Sequence, residues 1–291
     1  MKIIQIVLLT KNFRNTMQAY EIVKKPIGIL KKSTISEVIK KLLEYNVSRL
    51  VVLDSGKPIG IISEKNVGLF LFNESTKQGL DIIPLDKIMN KIQFTSPEST
   101  LEECAKIMIN KKISSIIVGK ENSLEGIFTK TDLVKYYAEN YKAKNKVSDF
   151  MANEFISTHG AAPLFKVVKK MIDNKVSRVI AKNQNEQPVG VVSFRDLFRI
   201  SLELGTDEGE SGFPLSEQIR RGFLSEDGFG GVSLARDVMS DGIISVKSDE
   251  DLSNACELML ENNVSGLTVL DEKDSVSGII SKTDVTRALA S

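Results

Sequence analysis

Gly126-Ile127-Phe128-Thr129-Lys130-Thr131-Asp132 is the stretch on which the reading of this chain turns. Its pattern returns as Gly190-Val191-Val192-Ser193-Phe194-Arg195-Asp196 and as Gly278-Ile279-Ile280-Ser281-Lys282-Thr283-Asp284. A weaker copy is Gly60-Ile61-Ile62-Ser63-Glu64-Lys65-Asn66. Each copy runs from glycine through β-branched or aromatic residues to a hydroxyl residue, with Asp or Asn three positions later. Four copies in one chain mean four related units, and a repeat of this kind comes before any other inference about fold.

Upstream of each heptapeptide lies a helical rhythm of apolar residues at i, i+3, i+4, i+7 and i+8. It is carried by Ile35, Val38, Ile39, Leu42 and Leu43, then by Leu101, Cys104, Ala105, Met108 and Ile109. The third and fourth sets are Leu164, Val167, Val168, Met171, Ile172 and Leu252, Ala255, Cys256, Met259, Leu260. Thr34 with Glu37 and Thr100 with Glu103 have the spacing of capping boxes, and Pro163 suits a first helical turn. A short apolar strand follows each helix (Leu50 to Leu53, Leu267 to Leu270), then a polar turn and the heptapeptide strand, which reads as a hairpin. A second helix begins after the hydroxyl residue. The unit is strand–helix–strand–strand–helix in about 55 to 60 residues, a size that rarely stands alone, so pairing is expected.

The heptapeptide glycines fall at 60, 126, 190 and 278, and the longer last interval holds a Gly-rich insertion over 204–231 with Phe213, Phe223 and Phe229. The divisions are an N-terminal extension (1–19), units 20–76, 84–141 and 146–203, the insertion, and a fourth unit 232–291. In 291 residues, 42% are hydrophobic and 26% charged, the balance of a packed globular protein. A net charge of +1 offers no long-range attraction to nucleic acid or an anionic membrane. Cys104 and Cys256 fall on apolar helix faces and read as buried free thiols, compatible with a reducing cytoplasm. Met1 to Leu9 is apolar but too short to span a bilayer and lacks a cleavage site, so a cytoplasmic protein is expected.

Ser/Thr-x-x-Asp at a helix start has two uses. As a cap, the hydroxyl accepts from the N3 amide and the acid reaches back to the N-cap amide. As a binding site, the exposed N–H groups of the helix start suit a phosphate or sugar hydroxyls, and the carboxylate can accept from a vicinal diol. No catalytic constellation accompanies it: there is one histidine, His159, and no GxSxG, HExxH or Cys-x-x-Cys. No catalytic residue, metal site or catalytic cofactor is expected.

The units resemble the CBS domain, the module named after cystathionine β-synthase, from about Tyr20 to Ala290. The likeness rests on the four heptapeptides, on Val47 to Asp54, and on the runs leading into units two to four. Those runs are Leu85-Asp86-Lys87-Ile88-Met89, Val147-Ser148-Asp149-Phe150-Met151 and Ala235-Arg236-Asp237-Val238-Met239. The resemblance implies an α/β fold of units paired through their small sheets, one with two and three with four, as two pseudo-twofold modules. These would form a disc within one chain or in a homodimer. It also implies an adenine-nucleotide ligand (AMP, ADP or ATP), with ribose held by Thr129/Asp132, Ser193/Asp196 and Ser281/Asp284. Asn66 departs from the pattern and should hold a diol less well. Phosphate would meet Arg49 and Arg178, with Lys130 and Lys282; Ile156, Ser157, Ile244 and Ser245 would line the adenine slots. The expected function is a regulatory sensor acting on a partner protein. An S-adenosylmethionine-type nucleoside binder and a ligand-free scaffold are the alternatives; the first would leave Arg49 and Arg178 idle.

Overall fold

Turn chemistry and apolar alternation build the same small sheet four times in the structure, a computed structural model that describes residues 17–73, 79–121, 123–194, 196, 234–240 and 242–291. The insertion 204–231 lies outside the described residues. The sheets are β1 (Gly28–Leu30), β2 (Arg49–Asp54) and β3 (Lys57–Ser63); β4 (Phe94–Thr95), β5 (Ser115–Lys120) and β6 (Ser123–Thr129); β7 (Ser157–His159), β8 (Arg178–Lys182) and β9 (Pro188–Ser193); and β10 (Ser245–Lys247), β11 (Gly266–Leu270) and β12 (Val276–Ser281). In each sheet the first strand pairs parallel with the second and the second antiparallel with the third. All four hairpins share one register slip, at Val52/Leu53, Val118/Gly119, Ala181/Lys182 and Val269/Leu270.

The described helices are α1 (Ile35–Glu44), α2 (Glu64–Asn73), α3 (Leu101–Asn110), α4 (Lys130–Asn140), α5 (Leu164–Asp173), the short α6 (Ala235–Val238), α7 (Leu252–Glu261) and α8 (Lys282–Ala290). Thr34 and Glu37 exchange hydrogen bonds with each other's backbone amides, as do Thr100 and Glu103, so both expected capping boxes form. Pro163 stands one residue earlier than expected. It is the N-cap of α5, at ψ 131°, and its carbonyl accepts from Lys166 and Val167.

The first four positions of each apolar rhythm are buried in α1, α3, α5 and α7, including both free cysteines. The fifth is not: Leu43 is 46% exposed, and Ile109, Ile172 and Leu260 are half-buried. At 3.6 residues per turn, i+8 lies about 80° around the helix from i, on the flank of the stripe.

Three apolar clusters join the units. One merges units one and three through α1, α2 and α5, with Leu42, Val67 and Met171 among its members. The second merges units two and four, with Met108, Tyr137, Met259 and Leu289. Val51, Ile117 and Ile127 close the sheets of units one and two on each other. The four units therefore pack together within one chain.

The segment before each unit crosses onto the paired unit. Gln18 bridges to Thr100 and Lys24 to Ile127; in return Pro84 bridges to Thr34 and Asn90 to Ile61. In the other module, Lys146 meets Asp251 and Ala152 meets Ile279, while Leu234 meets Pro163 and the Ser240 N–H donates to the Val191 carbonyl. Each lead-in thus touches first the helix N-cap and then the heptapeptide strand of its neighbour. The heptapeptide glycine makes room for it. A Cβ at Gly278 would lie 2.5 Å from the Ala152 carbonyl oxygen, and one at Gly60 would overlap the Met89 side chain.

Candidate functional site

The hydroxyl–acid pair closes locally in all four units. Asp132 Oδ2 accepts from the Thr129 N–H at 2.8 Å and from its hydroxyl at 2.9 Å. Asp284 Oδ2 accepts from the Ser281 N–H and hydroxyl at 2.8 and 2.6 Å, and Asp196 Oδ2 from Ser193 at 2.7 and 2.6 Å. Asn66 Oδ1 does the same for Ser63, at 2.9 and 2.6 Å. One oxygen therefore serves as the helix cap, and the other faces outward. In units two to four that outward atom is a carboxylate acceptor; in unit one it is the Asn66 NH₂, a donor. Asp132 and Asp284 are nearly buried, 8% and 6% exposed. Asp284 Oδ1 is held by Arg287, one helical turn on, at 2.9 Å.

The odd-unit arginines reach across each module. Arg49, at the start of β2, donates through Nη1 to the Ser114 carbonyl of unit two at 2.8 Å. Arg178, at the start of β8, donates through Nη2 to the Ser265 hydroxyl of unit four at 2.5 Å and lies over Gly266. Each keeps one buried nitrogen, Arg49 Nε and Arg178 Nη1, without a hydrogen-bond partner, an uncommon condition for a buried donor. Burial pulls both guanidinium groups below their ordinary range; Glu64 and Asp132 oppose this at Arg49, and Asp284 and Asp196 at Arg178. The structure thus brings Arg49 near the Thr129/Asp132 pair and Arg178 near Ser281/Asp284.

The lysines after the hydroxyl residues meet between units two and four. Lys130 Nζ donates to Thr283 Oγ1 and Lys282 Nζ to Thr131 Oγ1, both at 3.0 Å, a reciprocal exchange between α4 and α8. Burial lowers the Lys130 ammonium to about 8; Asp284 opposes the fall, and Arg287 and Arg49 add to it. This is a set of cations held close together.

The expected adenine-slot residues lie at the ends of the lead-ins of units three and four. Ile156 is half-buried against the core of units one and three, and Ile244 against that of units two and four. Ser157 and Ser245 open β7 and β10, and the Ser157 carbonyl accepts from Lys170 at 2.7 Å. Beside each clamp, the residues that sequence reasoning passed over are those at the crossing: Lys24, Asn90, Ala152 and Ser240. A signal was present, since Asn90, Ala152 and Ser240 each directly follow the methionine of a lead-in run. At the clamp of unit one, Asn66, Leu69, Phe70, Lys87, Met89 and Asn90 line a cavity of about 290 Å³. His159 Nδ1 accepts from the Ala161 N–H at 3.1 Å in a surface turn. Among the described residues no cluster of His, Cys, Asp or Glu could hold a metal ion, and no helix is long and apolar enough to cross a membrane.

A family model described as "CBS domain" matches residues 19–67, 85–139, 147–203 and 235–291. Protein MJ1225 of Methanocaldococcus jannaschii is 23% identical over 284 residues, covering 92% of this chain and 96% of that one. The crystal structure of MJ1225, put forward as an archaeal homolog of γ-AMPK, superposes with a TM-score of 0.79 at 20% identity, over 94% of this chain and 100% of that one. An uncharacterized conserved protein from Pyrococcus horikoshii superposes at 0.62 with 15% identity, again over 94% of this chain and 100% of its own. Both likenesses are likenesses of fold.

Proposed function

This chain belongs to the CBS-domain family, as four units in tandem, and from that premise we propose that it is a regulatory protein that binds adenine nucleotides and passes their state to a partner protein. The observation that carries this reading is the twofold repetition of one arrangement. A capped carboxylate with one outward oxygen stands beside an arginine from the paired unit, at Asp132 with Arg49 and again at Asp284 with Arg178. The outward oxygen suits a ribose diol, and the arginines with Lys130 and Lys282 suit phosphates. A cation cluster held close together is costly, and an anion would relieve it. Ala152, a small residue, stands at the crossing beside the unit-four clamp. Regulation rather than catalysis is the role this reading assigns.

A nucleoside without phosphate, such as S-adenosylmethionine, would use the carboxylate and leave the arginines unused; the charge of the cluster favours the nucleotide. The test is calorimetric titration of protein stripped of co-purified ligand with AMP, ADP, ATP, S-adenosylmethionine and adenosine, repeated on Asp284→Asn. Micromolar binding of a nucleotide, weakened about tenfold or more by Asp284→Asn, is the expected result for a lost charge-assisted bond. Equal affinities for AMP and adenosine would remove the phosphate role. No heat and no thermal shift with any ligand would leave a scaffold.

A further inference from the structure

The four crossings place four different residues beside the four clamps, and one of them is charged. Lys24 is fixed by two backbone hydrogen bonds with Ile127, both 2.9 Å, two residues before Thr129 on β6. Its ammonium lies 2.5 Å from Asp132 Oδ1, the outward oxygen of that clamp. The corresponding residues are Asn90 at Asn66, Ala152 at Asp284 and Ser240 at Asp196, none of which can pair with a carboxylate as a cation. The bond at Asp284 comes instead from Arg287 on its own helix, along α8 and not across the strand.

We propose that Lys24 is an intramolecular occupant of the unit-two clamp and the residue that sets its ligand affinity. The resting clamp is closed by the ammonium, and a ribose diol must evict it before Asp132 can accept. The proposal rests on the nucleotide reading above. The ammonium competes for the one oxygen the cap leaves available, since Oδ2 is already taken by Thr129. It arrives on the lead-in of unit one, so eviction changes a contact between units and not only within one. Lys24 itself is 70% exposed. Once released it is solvated at little cost, so the closure is reversible.

Adenosine is the cleanest probe, because it carries a ribose and no charge. Lys24→Ala reproduces the residue found at the Asp284 crossing and keeps the backbone bridge. It should raise adenosine affinity at the unit-two clamp by about 1.5- to 5-fold, the range of a partly exposed ion pair. Wild-type affinity at that clamp should rise, not fall, between low and high salt, because salt weakens the competing pair and not the neutral ligand. Asp196→Asn and Asp284→Asn are kept in both proteins so that the unit-two clamp is read alone. The second measurement is acetylation of Lys24 by a water-soluble ester, followed by mass spectrometry. Labelling should be slower in wild type than in Asp132→Asn, and adenosine should accelerate it in wild type, the opposite of ordinary ligand protection. Unchanged or weaker adenosine binding in Lys24→Ala overturns the proposal, as does labelling equal in wild type and Asp132→Asn. If neither protein binds any adenosine-bearing ligand at any clamp, the nucleotide reading fails and eviction fails with it. The labelling ratio then still decides whether Lys24 closes the clamp.

Discussion

Lys130 should take up a proton when a nucleotide binds. Its ammonium is buried between α4 and α8, bonded to Thr283 Oγ1 at 3.0 Å, and burial lowers it from the ordinary 10.5 to about 8, with Arg287 and Arg49 adding to the fall. At pH 8 about half of the lysine is neutral, and at pH 7 about a tenth. A phosphate in the cluster returns the group toward the ordinary lysine range, so binding draws in about 0.5 proton at pH 8 and about 0.1 at pH 7. The ligand adds nothing of its own, because a phosphoryl second ionisation near 6 is complete at pH 8. Calorimetry of AMP binding in two buffers of different ionisation enthalpy gives the uptake directly, and Lys130→Met should abolish it. The same shift has a stability signature with a definite sign. Between about 8 and 10.5 the unfolded chain holds more protons than the folded one, so stability rises with pH across that window. Below about 8 both states are protonated, and the folded protein carries the whole cost of the buried charge. Lys130→Met should therefore be more stable than wild type at pH 7, by on the order of 2 kcal/mol after screening, and the gap should close toward pH 10.5. Proton uptake at pH 8 indistinguishable from zero, or equal in Lys130→Met, would refute the reasoning.

Two further perturbations address other parts of the site. Asn66→Asp replaces an outward NH₂ with an acceptor beside the 290 Å³ cavity of unit one. It should add one adenosine site to the calorimetric stoichiometry and gain about 0.3–1 kcal/mol from a carboxylate in the first turn of α2; a higher denaturation midpoint with unchanged stoichiometry would leave only the cap. Gly266→Ala would place a Cβ on Arg178 Nη1 and 2.7 Å from the Ile280 carbonyl oxygen. It should cost about 1–3 kcal/mol in urea unfolding and weaken AMP more than adenosine, because it moves the arginine and not the clamp; equal losses for both ligands would contradict a phosphate role for Arg178.

Most of the fold was legible because its signals are local. Thr34-x-x-Glu37 and Thr100-x-x-Glu103 are completed by atoms within one helical turn, and the capping boxes form as read. The apolar rhythm of α1 fails only at Leu43, where the 3.6-residue period carries the side chain off the stripe. Arg49 and Arg178 come beside the clamps of units two and four because each opens the second strand of its sheet and reaches across to the paired unit. What the residues did not reveal depends on contacts distant in sequence. Lys24 and Asp132 are 108 positions apart, and nothing near Lys24 distinguishes it from Lys25. Only the crossing of the lead-in, which is a property of the pair of units, brings it to the carboxylate. Along the same lead-ins, Ala152 and Ser240 lie at the crossing, and Ile156 and Ile244 follow it and pack against the core.

That crossing also decides what a ligand could transmit. In the proposed reading, a nucleoside at Asp284 would touch the lead-in of unit three, the clamp of unit four and, through Arg178, the second strand of unit three. Its binding energy is then spent across an interface between units. A ligand shifts a protein only by the difference in its affinity for two arrangements, and a site shared by two bodies is one whose affinity depends on how they sit together. The clamp of unit two adds an internal competitor, Lys24, and the clamp of unit one has lost its outward acceptor. In the proposed reading, four copies of one heptapeptide give four unequal sites, the inequality coming from Asn66 in unit one and otherwise from the residue each neighbour lays across the strand. A chain of this kind can answer over a range of ligand concentration wider than identical sites would allow. A concentration series in which Lys24→Ala narrows that range, by bringing the unit-two clamp toward the affinity of the Asp284 clamp, is the behaviour this arrangement requires.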